Sequence, residues 1–569
     1  MNQMSCFRRS LRALLLIAAF SGRLDASPPA ASGLRVVAIT GGQPPGVPTE
    51  YVFTNSWIGV PVLNNAGQVA FPRSFGSPQD DFGIGVWAET DENLRLIAAN
   101  GIPAPGRPNE VITFPPSSFD SGGFAFNDRG QVVFFASVGP ANDPSSSVDG
   151  VWIGDGESVS LVTSGSFSSP LKGSDAINIG EGPVINRNGA VAFQTYSLDW
   201  PTYPYYQEVL WTANDNGLTQ KAVTGVEIDL NMSPPLEFYD LTSPILNRNG
   251  HVSFFAVEKY RGFGIWVNDD GKLDSIALDG KLAPGLAGDV HFDFNPDFGA
   301  TFYRATMNAT GDMLFFNRLV GSSVNANNSD SLWRWHSGEL SLVAREGDQA
   351  PGMTSGVTFN AFQNLIGPSG PVLSDSNDFA FMASLRGDGI DAQNRLSIWK
   401  VTDDGFRLVA QTGSLVPDFD SGATFDYLET PMLNDDGRIA FYGQARYRDE
   451  DGEIRQFLGI WAEDESGSLQ LVVRQGQVVD TDQGPNVDLK TIVDFALPRP
   501  DRFFQGRWER DQPHAFNNSG QIAFIARFED GREALLVTSP LIIPEPSGTV
   551  ILLAVLILTN RSWLTRPRR

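Results

Sequence analysis

Eight times along the chain an Asn-rich or Asp-rich turn, in seven cases ending in glycine, leads into an alternating apolar strand, and such a repeat admits few folds. Clear copies are Leu63-Asn64-Asn65-Ala66-Gly67 before Gln68-Val69-Ala70-Phe71, and Phe126-Asn127-Asp128-Arg129-Gly130 before Gln131-Val132-Val133-Phe134. Others centre on Gly189, Gly250, Gly311, Gly437 and Gly520, and Asn377 takes the glycine position in the sixth. Glycine supplies positive φ, and Asn or Asp bonds its own backbone, so each copy reads as a hairpin turn. A spacing of about 60 residues, stretched only before Gly520, points to a solenoid, a propeller or an array.

Two further signatures complete each unit. A small or apolar pair precedes tryptophan in Gly85-Val86-Trp87, Gly150-Val151-Trp152, Val209-Leu210-Trp211, Gly264-Ile265-Trp266, Ser331-Leu332-Trp333, Ser397-Ile398-Trp399 and Gly459-Ile460-Trp461, and degenerates to Ala534-Leu535-Leu536 in the last. A closing strand follows, as in Leu340-Ser341-Leu342-Val343-Ala344 before Gly347. Every unit therefore holds four short strands, the content of a propeller blade. The last unit stops after Thr538 without its closing strand, whereas Leu34 to Thr40 reads as a closing strand with no unit before it. A closed ring uses that offset to join its ends and leave no bare edge. The expected fold is all-β: an eight-bladed β-propeller over residues 33–540, with Val36 and Ala38 paired to the strand around Leu535 to Val537.

The composition, 41% hydrophobic with 58 glycines in 569 residues, suits a turn-rich globular chain. A formal charge of −25 repels phosphate backbones, which argues against a nucleic-acid partner. Arg8, Arg9 and Arg12 precede the apolar stretch Ala13 to Phe20 and a small-residue exit at Leu24-Asp25-Ala26, so residues 1–26 read as a signal peptide. The only cysteine, Cys6, lies in that segment, leaving the body without a disulfide or a thiol. Residues 541–569 contain Pro544-Glu545-Pro546, the apolar run Val550 to Leu558, and then Arg561, Arg566, Arg568 and Arg569. The run is short of the roughly 20 residues that span a bilayer, which makes a temporary transmembrane helix the expected reading. This order resembles the PEP-CTERM sorting tail of Gram-negative bacteria. The resemblance implies export to the cell envelope, cell surface or extracellular matrix, a sorting signal at Pro544, Glu545 and Pro546, and a transient partner in an exosortase, a membrane-embedded protease. It implies no activity, and contact with the membrane only through the tail before processing.

No nucleophile elbow, phosphate loop or dinucleotide fingerprint stands in a convincing context, and no cofactor or metal is expected. The repeated tryptophans and the pairs Phe134-Phe135, Phe254-Phe255 and Phe315-Phe316 read as core. Acidic turns such as Asn268-Asp269-Asp270-Gly271 and Asp449-Glu450-Asp451-Gly452 lack a full calcium-loop spacing. His291, Asp293 and Asn295 would share one strand face without a second histidine nearby. Short turns alternate to one face of the disc, so the variable loops gather on the other. Two loops there are the candidate binding elements. One carries Trp200, Tyr203, Tyr205 and Tyr206; the other is an insertion from Gly476 to Phe516 that carries Arg502, Arg507 and Trp508. The expected function is a non-enzymatic surface propeller that binds a glycan, matrix polymer or surface protein through this face. The alternative is a secreted carbohydrate-active hydrolase or lyase with paired carboxylates at the propeller mouth. Processing is expected to remove residues 547–569; mass spectrometry of envelope protein checks this, and a dominant mature form containing Arg569 contradicts it.

Overall fold

The computed structural model describes residues 33–57, 60–77, 82–90, 93–114, 119, 123–143, 146–164, 178–179, 183–197, 207–228, 234–260, 262–269, 271–294, 305–362, 370–419, 422–482, 487–496 and 515–541. The signal-peptide and sorting-tail expectations lie outside them. Among the described residues no helix is long and apolar enough to cross a membrane. The described chain forms eight antiparallel sheets arranged as the blades of a ring, the expected eight-bladed propeller.

Blade one shows the plan. Its inner strand comes in two pieces, Val52–Trp57 and Val62–Leu63, which share one partner, Val69–Gly76; Phe82–Thr90 and Asn93–Ala99 follow outward. The Asn64–Gly67 turn joins the inner and second strands. Residues 34–39 do complete blade eight: Val36 lies opposite Leu536 and Ala38 opposite Leu535. Thr40 N–H donates to Glu533 O at 2.9 Å, and Arg35 on this strand forms an ion pair with Glu89 of blade one. The first described strand is thus bonded to the last blade and salt-bridged to the first.

The tryptophans fill the space between blades. Trp87, Trp152, Trp266, Trp333, Trp399 and Trp461 are all fully buried. Each of the seven repeat tryptophans follows a one-residue shift against the outer strand, a bulge that raises local twist. Side chains two apart share a strand face, so the ring leans over the residue two before it. At Gly85 a Cβ would stand 2.5 Å from the Trp87 ring, which explains glycine there. Where serine replaces it, Trp333 and Trp399 Nε1–H donate to Ser331 and Ser397 Oγ at 2.8 Å. An inner-strand phenylalanine meets the ring edge-on, as with Phe53 and Trp87 at 5.0 Å and 75° or Phe292 and Trp333 at 4.9 Å and 70°. The second-strand phenylalanines are core as expected, except that Phe135 is only half-buried.

The repeated asparagine does two jobs. Its Oδ1 caps its own turn: Asn517 accepts from Ser519 N–H at 3.1 Å and Gln521 N–H at 2.9 Å. Its Nδ2 then crosses to the next blade, from Asn517 to Asn64 O at 3.0 Å, Asn64 to Asn127 O at 3.3 Å, Asn127 to Asn186 O at 3.1 Å and Asn186 to Asn247 O at 2.9 Å. Asn308 reaches Ser374 O and Asn434 reaches Asn517 O in the same way. The chain of bonds skips two seams. Asn247 Nδ2 is buried without a partner, and in blade six Ser374 stands where asparagine would donate to blade seven. Asn377 takes the glycine position of that turn at φ 69°, as its place in the repeat implied.

Two sequence expectations need correction. The stretch from Gly476 to Phe516 is not one insertion, because Val478–Asp480 and Leu489–Ala496 are strands, the latter the inner strand of blade eight. In several blades the described inner strand also comes in two pieces that share one partner, on either side of residues 114–123, 294–304, 362–371 and 497–515, so these stretches fall within the inner strand and do not join strands at the loop face. Replacing Asn517 by Ser removes the turn cap and the link to Asn64, whereas Asn247→Ser removes only the cap. Chemical denaturation is expected to find Asn517→Ser less stable than Asn247→Ser by about 1 kcal/mol; equal losses would deny the inter-blade bond its role.

Candidate functional site

The residue after each turn asparagine points the repeat toward the axis, and there the blades differ: Asn65, Asp128, Arg187, Arg248, Ala309, Asp375, Asp435 and Asn518. Arg187 of blade three meets Asp128 of blade two through Nε at 2.7 Å and Asp375 of blade six through Nη1 at 3.7 Å, and pairs through Nη2 with Asp435 of blade seven. Blade seven is diametrically opposite blade three, so one guanidinium spans the axis. Arg248 adds a contact to Asp375 at 2.7 Å, and Asn65 Nδ2 donates to both Asp128 and Asp435, at 3.0 and 3.1 Å. Asn518 and Asp435 exchange further bonds, and Ala309 N–H donates to Asp375 at 2.9 Å. Burial would lower the Arg187 guanidinium, but Asp435, Asp128 and Asp375 outweigh it and hold it above its ordinary value. Burial first, then Asp435, raises the Asp375 carboxyl. This cluster is a polar plug that fills the axis on the short-turn face.

The opposite face has another character. The exposed large apolar side chains of the described residues all stand on it or at the strand ends that reach it. Val52, Leu489 and Val493 lie on inner strands, Tyr260, Val320 and Ile454 at the connection from second to third strand, and Leu282, Leu415 and Val487 between outer and next inner strands. The short-turn face has none of this class among the described residues.

On the loop face of blade five, four charged residues form one lateral row. Asp293 lies opposite Arg318, Arg318 opposite Asp330, and Glu346 N–H donates to Asp330 O at 2.8 Å. Cross-strand partners share a face, so the carboxyls of Asp330 and Glu346 are neighbours. Burial, then Glu346, raises Asp330 above the ordinary carboxylate range, while Arg318 opposes. Glu346 accepts from Ser329 N–H at 3.1 Å and faces Arg386 of blade six at 3.5 Å. A simple cap explains part of this. Thr224 and Thr412 hold the same position in their blades and accept the N–H of Glu208 and Leu396, at 2.8 and 3.2 Å, as Glu346 accepts that of Asp330 at 3.4 Å. A carboxylate three residues before the tryptophan position, as in Asp149, Glu208, Asp330 and Glu533, is a sequence signal that could have pointed to this row and was missed. The axial cluster had none, since its members differ from blade to blade.

The binding residues expected from sequence, Trp200, Tyr203, Tyr205, Tyr206, Arg502, Arg507 and Trp508, lie outside the described residues. Their flanks are described: 198–206 falls between the second and third strands of blade three, and 497–514 leaves and rejoins the inner strand of blade eight. Asp449 and Asn268 act as turn caps, accepting from Glu453 N–H at 2.8 Å and Gly271 N–H at 3.0 Å. His291 pairs in register with Val320, and Asn295 is outside the described residues. Among the described residues no three His, Cys, Asp or Glu side chains stand close enough to hold a metal ion.

Comparison with solved structures finds distant likenesses. The β-propeller domain of the trilobed protease from Pyrococcus furiosus is 10% identical over 73% of this chain and 97% of its own, with a TM-score of 0.34. A polysaccharide lyase is 9% identical over 78% of this chain and 94% of its own, at 0.34, and the Aleuria aurantia lectin 10% identical over 65% and 100%, at 0.24. No curated protein matches. A family described as a family of unknown function (DUF7453) matches residues 21–369 and 356–550.

Arg187→Ala leaves three carboxylates facing one another at the axis, and the expected cost is about 3 kcal/mol at neutral pH. Without that cation the Asp375 carboxyl, already raised by burial and Asp435, rises further, so the folded state binds more protons than the unfolded and the deficit shrinks as pH falls toward about 4. Thermal unfolding across that range checks it; a pH-independent deficit would contradict the plug.

Proposed function

We propose that this chain, which belongs to the DUF7453 family of unknown function, is an exported propeller that binds a glycan, matrix polymer or surface protein through its loop face. The observation that carries the reading is the division of the two faces. One is closed by a paired ionic plug and short capped turns, and the other bears the exposed apolar side chains. Apolar groups left in water on one side of a rigid scaffold mark a place where a partner removes them from water. The segments with the most aromatic and basic residues attach to the same scaffold. Trp200, Tyr203, Tyr205 and Tyr206 offer flat faces for sugar rings, and Arg502, Arg507 and Trp508 offer donors for a polymer that carries acidic groups. The signal segment and the tail at Pro544, Glu545 and Pro546 support export and sorting by a membrane protease.

A second reading has one observation in its favour, the neighbouring carboxyls of Asp330 and Glu346 with Asp330 held toward its protonated form. Paired carboxyls with separated proton affinities serve glycosidic bond cleavage. The tie of Glu346 to Ser329 N–H and Arg386 favours a structural role for this pair.

A screen of glycans and matrix polymers against the purified protein tests the first reading. Joint replacement of Trp200, Tyr203, Tyr205 and Tyr206 by Ala is expected to weaken a carbohydrate ligand about tenfold or more while leaving the melting midpoint in place. A matching loss of stability assigns the four to packing. Release of shorter fragments that stops in Asp330→Asn would move the conclusion to the enzyme.

A further inference from the structure

The chain enters and leaves the ring at one point. Ser539 N–H donates to Gly33 O at 2.6 Å, and Leu34 pairs with Thr538. In the other blades this end of the third and outer strands is closed by a short turn, such as Thr402 to Gly405 between Leu396–Thr402 and Gly405–Gln411. Both described ends therefore open on the short-turn face. From Thr538 the chain runs toward the axis and is held there. Leu541 O accepts from Arg438 Nη1 at 3.2 Å, Arg438 Nη2 donates to Asn518 O, and Gly520 packs against Leu541. Arg438 is buried between the turns of blades seven and eight, and its contact holds Leu541 beside them.

We infer that residue 541 is a fixed exit that orients the disc: when residues 542–569 engage a bilayer, the short-turn face turns toward the lipid and the loop face away from it. The inference rests on the proposed export and deepens it by naming the face turned away from the membrane while the tail is still attached. The occupant of the membrane is the chain's own segment. Its run Val550 to Leu558 is apolar, and Arg561, Arg566, Arg568 and Arg569 suit anionic headgroups. The disc itself does not lie flat on such lipid. Exposed carboxylates at Asp215, Asp269, Asp404 and Glu465 stand on the turns facing it, and like charge repels within a screening length of about 8 Å. Attachment at residue 541, beside the axis on the short-turn face, then leaves the apolar loop face pointing into the surroundings.

The experiment uses the full chain with Cys6→Ser and one dye-bearing cysteine, mixed with phosphatidylcholine vesicles that contain some phosphatidylglycerol and a headgroup-linked acceptor. Asp404→Cys and Leu415→Cys label opposite ends of one outer strand, Gly405–Gln411, and Asp215→Cys with Tyr260→Cys forms a second pair should either of the first fail to fold. The faces are separated by a strand length, roughly 20–25 Å at about 3.3 Å per residue, so energy transfer should be at least about twofold stronger from position 404 or 215 than from 415 or 260. Equal or reversed transfer overturns the orientation, and a chain that ignores the vesicles overturns the tether. Ligand binding in vesicle-free solution is read separately, so failure of the orientation is distinguishable from failure of the binding proposal.

Discussion

A ring of sheets is held by the bonds that run between blades, and in this protein the densest set belongs to one small side chain. The turn asparagine spends its carbonyl oxygen on its own hairpin and its amide nitrogen on the next blade, at 2.9 to 3.3 Å wherever the link forms. An amide is suited to this because it presents acceptor and donor on one rigid plane. Serine at 374 shows what is lost when the second half of that plane is missing, since the seam from blade six to blade seven has no such bond. The ring then closes on itself through residues 34–39, which give blade eight its outer strand and leave no strand edge unpaired at the seam.

Inside that ring the same turns deliver eight side chains to one axis, and their differences make a plug. Identical charges would repel at so short a range, whereas a mixture of two arginines, three aspartates and two asparagines can satisfy itself. Burial, and then the neighbouring Asp435, raise the Asp375 carboxyl within it. It also gives the disc two unlike sides: one polar and paired to its centre, the other carrying apolar groups in water. The proposed binding uses the second side because the exposed apolar groups stand there.

Sequence-level reasoning read the repeat, the strand count, the buried tryptophans and the offset between first and last units, since each is a local pattern repeated often enough to stand out. Asn377 in place of glycine was legible for the same reason, being out of line in an otherwise regular column. The stretch from Gly476 to Phe516 was misread as one insertion because Leu489–Ala496 is a single inner strand with no turn signature of its own. The broken inner strands were not legible either. A gap such as 362–371 looks the same in sequence whether it joins two strands or interrupts one.

What the sequence by itself determined is the repeating unit and its closure, because strand periodicity, turn chemistry and phase are properties of neighbouring residues. What only the tertiary structure decided is which non-repeating residues meet. Arg187 and Asp435 are 248 positions apart and share no pattern. Asp330 and Glu346 become a carboxyl pair only when the third and outer strands lie in register, with burial raising one of them. Leu541 and Arg438 are likewise distant in the chain, and their contact sets where the tail departs. Convergence on an axis or a seam is set by the rotation of whole blades about the ring, and no local run of residues encodes which side chains that rotation brings together.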